Sequence, residues 1–178
     1  MRLEPLAAQH EEPLWDVGRD EQVWRLMRER GDESREAFAA WFGRMQETAL
    51  GFAQIVEGRP LGHTSYLNVR DDDRVLEVGN TWLAREAWGA GANTEAKLLL
   101  MQHAFEDEGF LRVEFKTDAR NERARAALAA LPAEFEGVFR KHMLVRGGER
   151  RDSAWYSVID DDWPDVKAAL AARVDAKA

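Results

Sequence analysis

The chain has 178 residues, a length typical of one domain, and its 45% apolar residues are enough for one sizeable core. It contains no cysteine, which excludes a disulfide scaffold, a thiolate zinc site and a cysteine nucleophile. Lys and Arg number 25 against 33 Asp and Glu, a net charge of −8. This acidic balance disfavours non-specific binding to nucleic acid or to an anionic membrane.

Membrane insertion and a metal centre are also disfavoured. No apolar run approaches the roughly 20 residues that span a bilayer, and the first residues, MRLEPLAAQHEE, lack the apolar stretch of a signal peptide. The four histidines are scattered, and none has a short metal-ligand spacing. We therefore expect a cytoplasmic protein without a metal.

The order of predicted elements indicates a single domain, 1–178, with one mixed sheet. Apolar residues at helical spacing predict helices over 9–17, 20–30, 34–48, 95–108, 121–131 and from 162 onward. Alternation and turn residues predict strands over 2–6, 51–57, 61–69, 75–83, 112–117, 135–145 and 153–159. Regular alternation along 75–83 would place Glu77 and Trp82 on opposite faces.

The strand–helix–strand succession between residues 75 and 117 implies a parallel pair with a right-handed crossover, and the hairpins on either side imply antiparallel neighbours. The expected fold class is therefore α/β, or α+β, with a mostly antiparallel sheet and helices on both faces.

The most informative motif joins the strand 75–83 to the next helix. It consists of Gly89, Ala90, Gly91, Ala92, Asn93 and Thr94. Small residues let a ligand approach the backbone, and the first N–H groups of a helix are unpaired and attract anions. The same pattern fits a plain turn with a helix cap. A dinucleotide fingerprint is disfavoured because Thr94 stands where it requires a third glycine.

Four segments around this motif carry a family resemblance: EVGNTWL (77–83), WGAGANTEAK (88–97), VEFKTD (113–118) and NERA (121–124). Together they resemble the GCN5-related N-acetyltransferases, the GNAT family, in the branch that includes the ribosomal-protein N-terminal-alanine acetyltransferases. The resemblance implies a GNAT fold with a V-shaped opening between the strands 75–83 and 112–117. It also implies that acetyl-CoA is the co-substrate and enters this opening.

The resemblance implies a coenzyme-binding core over about 75–131. The pantetheine arm would follow the strand at Trp82 and Leu83, and the pyrophosphate would bind the amides from Gly89 to Thr94. Asn121 matches a family residue that binds the coenzyme, and Arg123 beside it is expected to meet the phosphates.

Three positions depart from the family pattern. Trp88 stands where the phosphate loop usually begins with Gln or Arg, which leaves its backbone amides in place. Leu128 occupies the place of the tyrosine that protonates the leaving thiolate in many members. Pro132 stands where a glycine usually follows the helix.

Direct acetyl transfer needs a base that deprotonates the attacking amine and can use an acid for the leaving thiolate. Glu77, on the strand that lines the acetyl site, is our candidate base, and His142 is a second one because imidazole titrates near neutral pH. Tyr156 is a candidate acid. Each of these residues is also consistent with a purely structural role.

The helices over about 9–48 are expected to form the acceptor side, and Trp24 is the candidate residue for binding the acceptor. The predicted activity is acetylation of a primary amine on a protein N-terminus, an amino acid or a small molecule. The alternative is a non-catalytic acyl-CoA-binding or regulatory module, because Leu128 replaces the tyrosine acid and no base is unmistakable. The exposed hairpin edges are consistent with a homodimer.

Overall fold

The computed structural model describes residues 1–177. Its strands are β1 (Arg2–Pro5), β2 (Leu50–Val56), β3 (Arg59–Arg70), β4 (Val75–Leu83), β5 (Arg112–Asp118), β6 (Glu134–Val145) and β7 (Glu149–Ile159). Its α-helices are α1 (Glu11–Val17), α2 (Glu21–Trp24), α3 (Arg35–Thr48), α4 (Ala92–Gln102), α5 (Glu122–Ala129) and α6 (Trp163–Asp175). No helix within residues 1–177 is long and apolar enough to cross a membrane.

The seven strands form one sheet in the order β1-β2-β3-β4-β5-β7-β6. Every neighbouring pair is antiparallel except β4 and β5, which are parallel. The mixed sheet and the expected fold class are confirmed.

Each face of the sheet packs against its own helices. On what we call the back face, α4, α5 and α6 cover a core that includes Val78, Met101, Leu128 and Leu170. On the front face, α1, α2 and α3 enclose a second core rich in aromatic rings, among them Trp24, Phe38, Trp41 and Trp82.

The parallel pairing of β4 with β5 is short. It covers three residue pairs, from Val75 opposite Arg112 to Glu77 opposite Glu114, and then ends. Beyond Glu77 the two strands separate, because the register of β4 on β3 shifts at a bulge where Asn80 has a positive φ of 49°. The opening predicted between these strands therefore begins at Glu77.

The same bulge corrects the predicted alternation of β4. Leu76 and Val78 lie in the back core, but Trp82 lies in the front core, on the side where Glu77 also points. An extra residue in a strand reverses the face of all residues after it, so Glu77 and Trp82 share a face.

Side chains of β3 hold the bulge. His63 Nδ1 donates to the carbonyl of Asn80 at 2.9 Å, and Ser65 Oγ donates to the carbonyl of Gly79 at 3.0 Å. Burial lowers the pKa of His63 to about 4, so its ring is neutral at neutral pH and keeps Nδ1 as the donor.

Two predicted helices have different bounds in the structure. The predicted helix 20–30 is helical only over Glu21–Trp24. The helix predicted from residue 95 begins earlier, at Ala92, with Gly91 as its N-cap residue, and its last residues, His103–Asp107, form a π-helical turn.

The back core predicts how leucine substitutions affect stability. Leu170→Ala, at a fully buried position in α6, is expected to lower the free energy of unfolding by about 2–5 kcal/mol because it leaves a cavity. Leu144→Ala, at a position with 64% exposure, is expected to change it by less than about 0.5 kcal/mol. Urea denaturation of both variants measures the difference, and equal losses would contradict this description of the core.

Candidate active site

The opening between β4 and β5 exposes the backbone of β4. The amide of Ala84 donates to Leu61 of β3 at 2.7 Å, so the backbone groups of the preceding residue, Leu83, point away from β3 and toward the opening. The side chains of Leu83 and Trp82 are themselves buried. A ligand in the opening would therefore meet the strand through its main chain.

The glycine-rich loop lies immediately after β4. Gly89 and Gly91 have φ values of 79° and 91°, a conformation that side chains disfavour, and Gly91 begins α4. Within residues 1–177, the five consecutive amides from Gly89 to Asn93 donate no hydrogen bond, whereas the amide of Thr94 donates to the carbonyl of Gly91 at 2.9 Å. Five of the six predicted phosphate-binding amides are thus available to an anion.

Trp88, which departs from the family pattern, is held firmly at the start of this loop. Its indole Nε1 donates to the carbonyl of Leu83 at 2.8 Å. The guanidinium of Arg123 lies 3.4 Å from its ring centroid, and that of Arg85 lies 5.3 Å away. These cation–π contacts place two positive charges, those of Arg123 and Arg85, beside the glycine-rich loop.

Two lysines that sequence reasoning missed also contact the loop. Lys97 Nζ donates to Asn93 Oδ1 at 2.7 Å, and burial lowers the pKa of Lys97 to about 8. Lys177 Nζ donates to the carbonyl of Gly89 at 2.6 Å. The position of Lys97 one helical turn after Asn93 is a signal that could have identified it.

Asn121 begins α5 and caps it. Its Oδ1 accepts from the amide of Ala124 at 3.0 Å. Leu128 on the same helix is buried in the back core. At the position where many family members have an acid, this chain therefore has a packing residue.

Glu77 lies on the front face where the opening begins, and only 1% of it is exposed. Its Oε2 accepts from Lys116 Nζ at 3.0 Å and from Asn68 Nδ2 at 2.8 Å. Its Oε1, beside Gly79, accepts no hydrogen bond from the described residues. One carboxylate oxygen is therefore fixed, while the other has no hydrogen-bond partner among the described residues.

His142 of β6 lies on the same front face. Its Nδ1 is 3.0 Å from Ser153 Oγ, and its ring is 5.6 Å from that of Trp155. Partial burial and the positive charges of Lys116 and Arg151 lower the pKa of His142 below its usual value. The imidazole is accordingly neutral at neutral pH and able to accept a proton.

Tyr156 points to the opposite, back face. It is buried there, and its hydroxyl oxygen accepts from Arg125 Nε at 3.1 Å. The sheet therefore separates Tyr156 from Glu77 and His142. As an acid it would act from the α5 side, where Leu128 replaces the family tyrosine.

Trp24 is enclosed in the front core and has no exposed surface. Its Nε1 donates to the carbonyl of Gly18 at 2.6 Å, and its ring packs edge-on against Phe38 and Trp41. In this conformation Trp24 has no surface available to an acceptor, and its contacts are those of a packing residue.

Lys116 is the most important site residue that sequence reasoning missed. Besides its ion pair with Glu77, its Nζ lies 5.1 Å from the ring centroid of Trp155. Its alternation with Val113 and Phe115 showed that it faces away from the back core. That alternation does not predict that Lys116 pairs with Glu77 across the opening.

Comparison with known proteins agrees with this geometry. Residues 1–133 match the family model described as "Acetyltransferase (GNAT) domain". The Bacillus subtilis (strain 168) protein named "Putative ribosomal N-acetyltransferase YdaF" is 30% identical over 113 residues, which cover 64% of this chain and 61% of that relative. The chain thus matches less than two thirds of this curated relative.

Solved structures match over almost the whole chain. A GCN5-related N-acetyltransferase from Brucella melitensis has a TM-score of 0.91 at 32% identity, covering 97% of this chain and 81% of that one. A T. thermophilus protein described as a "putative acetyltransferase" has a TM-score of 0.91 at 38% identity, covering 97% of this chain and 93% of that one. The chain therefore belongs to the GNAT family of acetyl-CoA-dependent acetyltransferases.

Proposed function

We propose that this protein transfers the acetyl group of acetyl-CoA to the amino terminus of a protein or peptide. The observation that carries the proposal is the opening between β4 and β5, which has five free amides at one end and the Glu77 carboxylate at the other. The first group suits a pyrophosphate, and the second suits a protonated amine that must lose a proton.

The coenzyme supplies the activated acetyl group. The N–H of Leu83 on β4 would donate to its pantetheine arm, since the carbonyl of Leu83 already accepts from Trp88 Nε1, and the amides from Gly89 to Asn93 would bind its pyrophosphate. Arg123 and Lys177 add positive charge beside those amides. Because the main chain makes most of these contacts, a tryptophan at position 88 is compatible with binding.

Glu77 acts as the base in this proposal. Lys116 and Asn68 hold one of its oxygens, which fixes the carboxylate and leaves Oε1 to accept a proton from the amine directly or through a water. The deprotonated amine then attacks the thioester carbonyl. The C–N bond forms, the C–S bond breaks, and the coenzyme leaves as a thiolate or thiol.

The choice of a peptide acceptor rests on the curated relative, whose name describes a ribosomal N-acetyltransferase. Coenzyme release should be followed with alanyl peptides, free amino acids and simple amines as acceptors, with mass spectrometry to identify the product. Acetylation of the peptide α-amine is the expected result. Coenzyme binding without transfer to any amine would instead support a non-catalytic binding module.

A matched pair of glycine variants tests the phosphate loop. Gly89 and Gly58 both have φ of 79° and open space where a side chain would begin, but Gly58 lies in the β2–β3 turn and not in the glycine-rich loop. Gly89→Val is expected to weaken acetyl-CoA binding by about 10–100-fold, because charge-assisted hydrogen bonds to phosphate are lost. Gly58→Val should strain the backbone equally and leave the affinity unchanged in calorimetric titration. Equal affinities of the two variants would place the phosphates elsewhere.

A second matched pair tests the base. Glu77→Gln is expected to lower turnover by about 100-fold, because an amide cannot accept the proton. The loss should shrink as pH rises, since more of the acceptor then arrives already deprotonated. Glu114→Gln is the control. Glu114 lies opposite Glu77 on the neighbouring parallel strand, and its replacement should have little effect on turnover.

The pH–rate profiles of wild type and both variants over pH 6–9 provide the measurement. Unchanged turnover of Glu77→Gln across this range would exclude Glu77 as the base. His142→Gln would then be the next variant to measure, because His142 is the other predicted base on the front face.

A further inference from the structure

The front face of β5 and β7 continues past the catalytic candidates to a buried arginine. Residues directly opposite on antiparallel strands share a face, so Trp155 lies beside Lys116, and Ser153 lies beside Asp118. Arg151 lies two residues before Ser153 on β7, on the same face of the sheet and opposite Met143 of β6. Arg151 therefore lines the same side of the sheet as Glu77 and His142.

Arg151 has no partner in the structure. Only 6% of the residue is exposed, its Nε has no hydrogen-bond partner, and it forms no ion pair with any residue among 1–177. Trp155 Nε1 on the same face is also buried without a partner. Both groups can only donate, and the described residues supply an acceptor to neither of them.

The carboxylates whose charges act on Arg151 are already paired. These are Asp118 and Glu77. Asp118 accepts from Arg120 at 2.8 Å and from Arg146 at 3.3 Å, and Glu77 accepts from Lys116. The local balance is therefore positive around Arg151.

A buried charge without a partner is costly, because the group loses its hydration and gains nothing in exchange. Arginine remains protonated rather than becoming neutral to avoid this cost. An arrangement of this kind suits a site that a ligand completes, and the matching ligand is a carboxylate, which a guanidinium can bind through two parallel hydrogen bonds.

We propose that Arg151 binds an acidic side chain of the peptide acceptor, an inference that rests on the proposed function. Arg151 is four residues along β7 from Trp155, which lies beside Lys116, the residue whose Nζ binds the Glu77 carboxylate. Four residues of strand span about 13 Å, and an extended peptide has nearly the same rise per residue. Counted from the first residue, whose amine is at the base, the carboxylate would therefore belong to the fourth or fifth residue of the acceptor.

The test is a set of alanyl peptides in which one Glu is moved through positions 2 to 5, each compared with its Gln counterpart. For the wild type we expect kcat/KM to be about 10-fold higher for Glu than for Gln at position 4 or 5, and we expect this preference to weaken with added salt. Arg151→Gln should abolish the preference without lowering Tm or the affinity for acetyl-CoA. Arg150→Gln, which changes the exposed neighbour of Arg151, should retain it.

The possible results distinguish the role of Arg151 from the proposed acetyl transfer. Acetylation of Glu and Gln peptides at equal rates by the wild type would overturn this inference and leave the proposed function intact. Failure to acetylate any peptide would overturn both. In an Arg151→Gln variant that folds, loss of acetyl-CoA binding would show that the arginine contacts the coenzyme and would overturn the inference. If that variant does not fold, the position and salt dependence in the wild type still decide.

Discussion

The separation of β4 from β5 after Glu77 is the constraint on which the candidate site depends. It follows from the bulge at Asn80. His63 donates a hydrogen bond to the carbonyl of Asn80, Ser65 donates one to the carbonyl of Gly79, and the two bonds hold the bulge. Pairing that continued along β4 would consume the backbone groups that a coenzyme needs. The bulge also turns Trp82 toward the front core, so one irregularity creates the opening and supports the wall beside it.

The two halves of the site use different chemistry. The proposed coenzyme side consists mainly of backbone amides, which a side-chain change such as Trp88 leaves in place. The acceptor side consists of side chains on the front face, where Lys116 pairs with Glu77 and Asp118 pairs with Arg120 and Arg146. Because both carboxylates are already paired, the unpaired Arg151 is the group through which we propose that this face selects an acceptor.

The sequence predicted the strands, their mixed pairing and the phosphate loop, because these depend on local patterns of apolar residues and glycines. It did not predict the bulge, because asparagine adopts a positive φ readily in many settings, whereas the hydrogen bonds that hold this one come from β3, which is distant in sequence. The burial of Trp24 and the orientation of Tyr156 depend on contacts between elements distant in sequence. The ion pair of Lys116 with Glu77 joins two strands that a crossover connects, so local sequence patterns could not predict it either.

A crystal structure with acetyl-CoA bound tests the central claim most directly, because it shows what occupies the opening. We expect the pantetheine arm along β4 up to Leu83, the pyrophosphate on the amides from Gly89 to Asn93, and the thioester beside Glu77. A coenzyme bound elsewhere on the protein, or β4 and β5 paired beyond Glu77, would contradict the account.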